Sequence, residues 1–186
     1  MKVHVALTDG TAHGSGFFIG PGLVVTNAHV IEGGTKVVVK LEADSSLHPA
    51  TVLAQQDVPD VALLQIDKQD NEYLPLGVSA NCRELEEVVL IGYPHFDHLN
   101  ATSVKGSISA TNRVFLKEKV IQLDIRATHG NSGGPVIDTD GCVIGILTSG
   151  LGSEDPELAQ FTFAQHMDFV LPFLEKYAKG RFERVQ

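Results

Sequence analysis

A glycine-rich turn in this sequence holds a serine in a setting that suits nucleophilic chemistry. Ser132 lies in Gly130-Asn131-Ser132-Gly133-Gly134. Glycine adopts backbone conformations that other residues avoid and has no Cβ to obstruct a bound carbonyl group, so backbone amides in such a turn can approach a reacting oxygen. A plain loop between two strands can have the same composition. The turn alone therefore leaves a catalytic and a structural serine equally open.

Two further residues have the types that a serine nucleophile needs. A serine hydroxyl becomes a good nucleophile when an imidazole accepts its proton and a buried carboxylate orients that imidazole. His29 follows the apolar run 23–25 in a short polar turn, and Asp60 opens the apolar run 61–66. We therefore predict that His29, Asp60 and Ser132 form a catalytic triad. The structural alternatives are a core histidine, a strand-capping carboxylate and a hydroxyl group in a tight turn.

Four stretches of the sequence together resemble the landmarks of the trypsin-like serine proteases. They are Gly14-Ser15-Gly16-Phe17-Phe18-Ile19, Thr26-Asn27-Ala28-His29-Val30, Asp60-Val61-Ala62-Leu63-Leu64 and Gly130-Asn131-Ser132-Gly133-Gly134-Pro135. They are most similar to the bacterial branch typified by the HtrA and Deg proteases. The resemblance extends from about Gly14 to Phe163, and the order and spacing of the four stretches make it more specific than any one of them.

The resemblance implies both a fold and a reaction. The fold is all-β, with two six-stranded antiparallel β-barrels and the active site in the cleft between them. The reaction is peptide-bond hydrolysis by a serine endopeptidase through an acyl-enzyme, with Ser132 as nucleophile, His29 as general base and Asp60 orienting the imidazole. The other function left open is a pseudoprotease, a latent or inactive barrel pair that binds peptides as a scaffold.

The resemblance also implies the residues that would surround a substrate. The backbone N–H groups of Gly130 and Ser132 would form the oxyanion hole, with Asn131 shaping the turn between them. The walls and base of the primary specificity pocket would be Arg126, Ala127, Thr128, His129, Leu147, Thr148, Ser149, Gly150 and Thr162. Thr148 would hydrogen-bond the triad carboxylate, and the two residues after it would offer their backbone to an extended substrate.

Two preferences of that pocket stay open. Arg126 takes the position where an aspartate selects basic side chains in trypsin-like enzymes, and a guanidinium there would favour an acidic side chain just before the cut. Alternatively, Arg126 points to solvent, and Ala127 and Leu147 line a pocket for medium-sized apolar side chains.

Short runs rich in Val, Ile or Phe, separated by Gly, Pro, Asp and Ser, predict the strands of two lobes. The predicted strands are 1–7, 16–19, 23–26, 36–41, 50–55 and 61–66, then 85–91, 103–110, 113–115, 120–125, 135–138, 142–148 and 161–164. Apolar residues at helical spacing from Phe169 to Tyr177 predict a C-terminal α-helix, which Pro172 is expected to kink or delay. We expect one peptidase domain over 1–186, with a first barrel at 1–78, a second at 79–165 and the helix at 166–180.

Length and charge limit the class of protein. The chain has 186 residues, of which 43% are hydrophobic and 20% charged, and this composition is typical of one soluble domain with a sizeable core. Its formal net charge of −9 excludes nucleic acid as an expected partner, because phosphate binding needs clustered Lys and Arg. No signal-like or membrane-length apolar run is present. We therefore expect a cytoplasmic protein with no membrane partner, or an excised piece of a longer one.

The remaining cysteine, histidine and aspartate candidates do not indicate a metal or cofactor site. Cys82 and Cys142 are expected to be free thiols in a reducing compartment, although a pair is not excluded by the sequence. His95, Asp97 and His98 are expected to form a solvated loop tip rather than a metal site. We predict no metal and no cofactor.

The expected partner is a polypeptide substrate. The sequence has neither a PDZ module after the barrels nor the aromatic-rich N-terminal extension that HtrA proteins use to form trimers. A monomer is therefore expected rather than a trimer. The peptidase unit of a larger protein, with fused or associated regulatory domains, is also compatible with the resemblance.

Overall fold

The structure is a computed structural model of the chain, and it describes residues 1–43, 45–94, 100–115, 118–148 and 161–185. The N-terminal elements are β1 (Lys2–Leu7), β2 (Gly10–Ser15), β3 (Phe17–Gly20), β4 (Leu23–Thr26), α1 (Ala28–Ile31), β5 (Lys36–Lys40), β6 (Leu47–Asp57) and β7 (Asp60–Ile66). The C-terminal elements are a 3₁₀ turn (Ser79–Asn81), β8 (Glu87–Gly92), β9 (Thr102–Phe115), β10 (Glu118–Leu123), β11 (Pro135–Ile137), β12 (Val143–Thr148), β13 (Thr162–His166) and α2 (Met167–Ala178).

The first sheet is a half-barrel in the order β2-β1-β5-β6-β7-β4-β3. Its two edge strands, β2 and β3, are consecutive in the chain and are separated by Gly16 alone. A Cβ at Gly16 would lie 2.9 Å from the Val25 carbonyl oxygen, so the bend that joins the two edges requires glycine there. β2 was not predicted from the sequence, because its residues Gly10–Ser15 have low strand propensity and are held by pairing with β1.

The second sheet is a closed barrel in the order β10-β13-β12-β11-β8-β9, with β9 also paired to β10. β9 is one strand of 14 residues where the sequence predicted two separate strands, and the pairing of β9 with β10 is irregular near Val120 and Gln122. A bulged strand bends without ending, so one long strand serves two parts of a barrel wall. The predicted class, a double β-barrel with a C-terminal helix, is confirmed, with a half-barrel of seven strands in the N-terminal position.

β7 in the half-barrel is buried on both of its faces. On β7, Leu64 packs inside the half-barrel, whereas Leu63 packs against Leu171 and other residues of α2. Both leucines are fully buried. A strand that is covered on both faces needs no polar alternation, which explains the continuous apolar run after Asp60.

The C-terminal helix runs through Pro172 and ends at Lys179, whose left-handed backbone has φ 52°. Pro172 lies on the exposed side of the helix, while Val170 and Leu174 are buried. The C-terminal helix is thus confirmed. Within the described ranges, neither helix is long and apolar enough to cross a membrane.

The two cysteines, Cys82 and Cys142, are both free thiols.

A buried polar cluster anchors the start of α2 to the second barrel. Ser79 Oγ donates to Asp168 Oδ2 over 2.8 Å, and the Ala80 backbone N–H donates to the same oxygen over 2.6 Å. His166 Nε2 lies 2.8 Å from the Thr111 carbonyl oxygen, and the His166 ring is buried. Burial lowers the pKa of His166 below its ordinary value of 6.5, although the Thr111 carbonyl and the Asp168 charge act in the opposite direction.

We predict that His166 makes the stability of the chain depend on pH. Because the folded pKa is below the unfolded one, the unfolded chain takes up the proton first, and the free energy of unfolding decreases as pH falls below about 6.5. His166→Gln keeps a donor for Thr111 and takes up no proton, so wild type should lose stability relative to this variant between about pH 7.5 and pH 5.5. Urea unfolding at each pH measures the difference. His129→Gln, at an exposed histidine, is the control, and a parallel loss in wild type and His166→Gln would contradict the prediction.

Candidate active site

The histidine and the carboxylate of the predicted triad are joined by two contacts. His29 lies in α1, whose other residues are buried, so the helix is fixed while the imidazole side chain is 43% exposed. His29 Nδ1 lies 2.5 Å from Asp60 Oδ2, and the His29 backbone N–H donates to Asp60 Oδ1 over 2.9 Å. An ionised carboxylate only accepts hydrogen bonds, so Nδ1 carries the proton and Nε2 is the nitrogen left to act as a base.

The Asp60 carboxylate also connects the two barrels. Its side chain is 15% exposed and lies at the start of β7 in the half-barrel. Thr148 Oγ1, at the end of β12 in the second barrel, donates to Asp60 Oδ2 over 3.3 Å. Asn27 Nδ2 donates to the Asp60 carbonyl oxygen over 2.9 Å and so fixes the segment before α1 on β7. With the two contacts from His29, the partly buried carboxylate has three hydrogen-bond donors.

A second carboxyl group, which the sequence did not single out, lies behind Asp60. Burial raises the pKa of Glu118, the Asp60 charge raises it further, and a hydrogen bond from the Asp60 backbone N–H lowers it. Gln165 Nε2 donates to Glu118 Oε2 over 3.2 Å. No motif marks Glu118 in the sequence, because the first residue of β10 reaches Asp60 only through the packing of the two barrels.

The turn that carries Ser132 is held by its own backbone and by β12. The N–H groups of Asn131, Gly133 and Gly134 donate to the carbonyl oxygens of Thr128, Leu147 and Asn131 over 3.1, 2.9 and 3.0 Å. The N–H groups of Gly130 and Ser132 make no hydrogen bond to a described residue. The two donors predicted for the oxyanion hole are therefore the ones that the turn leaves available.

Glycine is required at two positions around Ser132. Gly133 has φ 85°, and a Cβ there would lie 2.2 Å from the Ser15 carbonyl oxygen. Gly14 has no room for a Cβ either, which would lie 2.7 Å from Val30 Cγ1 and 2.9 Å from the Ser132 carbonyl oxygen. The helix that carries His29 and the turn that carries Ser132 thus pack against the same glycine.

The structure brings the three predicted catalytic segments together but does not join all three side chains. Ser132 is 9% exposed, and no hydrogen bond of up to 3.5 Å links its Oγ to the His29 ring in the described part of the chain. Nucleophile–base hydrogen bonds are often long or poorly aligned when no substrate is bound. The assignment of Ser132 to a triad stays a prediction.

Apart from the half-buried Thr148, which bonds Asp60, the predicted pocket residues fall into three groups. Arg126, Thr128 and His129 are exposed, and Arg126 makes no hydrogen bond or ion pair with a described residue. The buried residues belong to the second barrel: Leu147 packs in its core with the partly buried Ala127, and Thr162 Oγ1 donates to the Ile125 carbonyl oxygen. The final group, Ser149 and Gly150, lies outside the described residues.

None of the three candidate metal ligands, His95, Asp97 and His98, lies within the described residues. Elsewhere in the chain, as far as the structure describes it, no group of three or more His, Cys, Asp or Glu side chains is placed to hold a metal ion.

A half-barrel and a closed barrel that place a His–Asp pair beside a glycine-rich serine turn define the class of trypsin-like serine endopeptidases. The sequence comparison agrees, because the family described as "Trypsin-like peptidase domain" matches residues 14–146. The chain belongs to this family. The resemblance to the trypsin-like serine proteases is confirmed.

The relatives of the chain are HtrA-type proteases. A probable periplasmic serine endoprotease, DegP-like, from Chlamydia pneumoniae is 39% identical over 141 residues, which are 73% of this chain and 28% of the relative. The mitochondrial serine protease HTRA2 of Drosophila virilis is 36% identical over 180 residues, which are 91% of this chain and 41% of the relative. The chain thus spans less than half the length of these two proteins. A solved HtrA-type protease with a tripeptide superposes with a TM-score of 0.84 at 27% identity, covering 97% of this chain and 60% of that one.

The Thr148 hydroxyl group should contribute to reactivity because it holds the Asp60 carboxylate against His29. Thr148→Val keeps the shape of the side chain and removes the donor. We expect the rate of active-site labelling by a fluorophosphonate probe to fall about 3- to 10-fold, the effect of one hydrogen bond of ordinary strength. Thr35→Val, at an exposed threonine that bonds only the Ala6 carbonyl, is the matched control. Equal labelling rates in the Thr148 variant and wild type would show that Asp60 needs no support from the second barrel.

Proposed function

We propose that the chain is a serine endopeptidase domain that hydrolyses peptide bonds through Ser132, His29 and Asp60. One observation carries the proposal. Asp60 accepts hydrogen bonds from both the backbone and the imidazole of His29 inside a trypsin-like fold. A binding scaffold has no need of a carboxylate that fixes an imidazole at two points. A general base must be held in one tautomer and one direction, and this contact does both.

In the proposed acylation step, Ser132 Oγ attacks the carbonyl carbon of the substrate and its proton passes to His29 Nε2. The imidazolium that forms is stabilised by Asp60, which lies 2.5 Å from Nδ1. The negative oxygen of the tetrahedral intermediate accepts hydrogen bonds from the Gly130 and Ser132 N–H groups. When the intermediate collapses, the C–N bond breaks and the leaving amine takes the proton from Nε2.

Deacylation repeats the same steps with water as the nucleophile. Nε2 accepts a proton from the water molecule that attacks the acyl carbon, and the oxyanion again lies between the two N–H groups. Collapse of this second intermediate breaks the bond to Ser132 Oγ and returns the proton to the serine. The polypeptide is cut and the enzyme is restored.

Substitution of Ser132 by alanine tests the proposal directly. Ser132→Ala should lose all labelling by a fluorophosphonate probe and should cleave an unfolded protein such as casein at least about 10⁴-fold more slowly than wild type. Ser103→Ala, at an exposed serine on β9, is the matched control and should behave as wild type. A wild-type chain that is never labelled and never cuts casein would instead indicate a latent or inactive peptide-binding scaffold.

For the specificity pocket, we propose that the chain selects a medium-sized apolar side chain just before the cut. Arg126 is exposed and has no partner among the described residues, whereas a guanidinium that reads a carboxylate inside a pocket is normally enclosed and paired. Ala127 packs on the apolar cluster that contains Leu147, so this side of the pocket is apolar.

Cleavage profiles of a peptide library test the proposed specificity. Wild type and Arg126→Ala should show the same preference for apolar residues before the cut, within about twofold, because removal of an exposed charge changes little. Arg113→Ala, at another exposed arginine, controls for the loss of one positive charge. A wild-type preference for Asp or Glu of about tenfold or more that Arg126→Ala abolishes would mean that the guanidinium reads the substrate.

A further inference from the structure

Ser15, the last residue of β2, is joined by hydrogen bonds to both sides of the nucleophile turn. It is 1% exposed. Its backbone N–H donates to the Ser132 carbonyl oxygen over 2.7 Å, and its Oγ donates to the Gly130 carbonyl oxygen over 2.7 Å. The Tyr93 backbone N–H donates to the same Oγ over 2.8 Å. One buried side chain of the half-barrel thus connects two segments of the second barrel.

The direction of these bonds follows from the groups involved. A carbonyl oxygen only accepts and a backbone N–H only donates, so the single hydroxyl proton of Ser15 must point at Gly130 while the oxygen accepts from Tyr93. The Ser15 carbonyl oxygen is also engaged, because Thr26 Oγ1 donates to it over 2.7 Å. Ser15 is therefore held in one orientation, and it holds the Gly130 carbonyl in one orientation in turn.

The orientation of the Gly130 carbonyl decides what the turn presents to the cleft. Ser15 ties the carbonyl oxygens of Gly130 and Ser132 to the half-barrel. The N–H groups of Gly130 and Ser132 are then left without a described partner. Gly130 has φ 92° and no Cβ, so hydrogen bonds must hold the Gly130–Asn131 peptide in place. The carbonyl oxygen of this peptide accepts from Ser15 Oγ, and its N–H donates to the Thr128 carbonyl oxygen.

We propose that Ser15 is a positioning residue for the oxyanion hole of the proposed endopeptidase: its hydroxyl group keeps the Gly130 carbonyl turned away from the cleft. The proposal rests on the proposed function of Ser132 and goes beyond it. Without the hydroxyl group, the Gly130 carbonyl and the Tyr93 N–H are both buried and unpaired. Rotation of the Gly130–Asn131 peptide relieves the first of these and breaks the bond from the Asn131 N–H to the Thr128 carbonyl. Because the rotation changes ψ of Gly130 and φ of Asn131, it also displaces the neighbouring Gly130 and Ser132 N–H groups, which are the proposed oxyanion donors.

Tyr93 extends the same network to a surface loop. Its hydroxyl group donates to Glu42 Oε2 over 2.6 Å, and Glu42 lies between β5 and β6 in the half-barrel. The burial of Tyr93 and its bond to Glu42 raise the pKa of the phenol well above its ordinary range, so the phenol stays a donor. The segment that supplies the Tyr93 N–H to Ser15 is thus itself fixed to the half-barrel.

The test compares ligands that do and do not place an oxyanion in the hole. A tripeptide boronate, acetyl-Ala-Ala-boroVal, forms a tetrahedral anion on a catalytic serine, whereas acetyl-Ala-Ala-Val-amide only occupies the substrate site. In the full chain, Ser15→Ala should weaken boronate inhibition about 10- to 100-fold and lower kcat by a similar factor. The Kd of the amide and KM should stay within about twofold.

Ser79→Ala is the matched control for the loss of a buried hydroxyl group. Ser79 is also 1% exposed, and its Oγ bonds Asp168 and contacts His166 in the anchor of α2. This variant should lose stability as Ser15→Ala does, with boronate inhibition and kcat unchanged. If Ser15→Ala shows wild-type boronate inhibition, or loses boronate and amide binding equally, the positioning role is refuted.

A second variant and a pair of crystal structures test the role of Ser15 separately from the proposed function. If Ser15→Ala does not fold, Ser15→Cys keeps the shape of the side chain with a larger and weaker donor, and it should shift boronate inhibition in the same direction. If wild type neither cuts peptides nor binds the boronate, the proposed function fails. Crystal structures of wild type and Ser15→Ala then decide the role of Ser15. A rotated Gly130–Asn131 peptide in the variant supports the role, and an unchanged one overturns it.

Discussion

The site depends first on the partly buried carboxylate of Asp60. It accepts hydrogen bonds from the His29 backbone, the His29 ring and the Thr148 hydroxyl group. A charge in this position is stable only when donors surround it, and these donors come from two different barrels. Hydrogen bonding to this one carboxylate therefore holds α1 on β7 and holds the end of β12 next to both elements. The position of the cleft follows from this constraint.

Close approach of backbones is the second constraint, and it explains where the glycines lie. Gly14 and Gly133 have no room for a Cβ, because the serine turn, β2 and α1 meet there at contact distance. The turn is thus packed onto the half-barrel by its backbone rather than by its side chains. Small residues at these positions let the Ser132 segment reach the half-barrel.

The features that depend on a local sequence pattern could be predicted from the sequence. The features that depend on contacts between distant residues could not. Apolar runs and four landmark stretches were enough to predict the fold class and the C-terminal helix, which was predicted at 166–180 and lies at 167–178. The same stretches supplied the residues proposed for the site. β2 was missed because its two glycines, Gly10 and Gly14, lack strand propensity and only pairing with β1 makes them a strand. Ser15 and Glu118 were missed because their partners lie far away in sequence, Gly130 being 115 positions from Ser15. A serine or a glutamate carries no pattern that indicates such a partner.

The site is divided between the two barrels, and this explains why His29 is hydrogen-bonded to Asp60 but not to Ser132. His29 and Asp60 both belong to the half-barrel, so their contact depends on one sheet and one short helix. Ser132 belongs to the second barrel, and its hydroxyl group makes no hydrogen bond to the His29 ring in the described structure. Polar bonds with strict geometry hold the second barrel against the first, and those of Ser15 and Thr148 are among them. A small shift between the barrels therefore changes the approach of the nucleophile and leaves the base and its carboxylate intact.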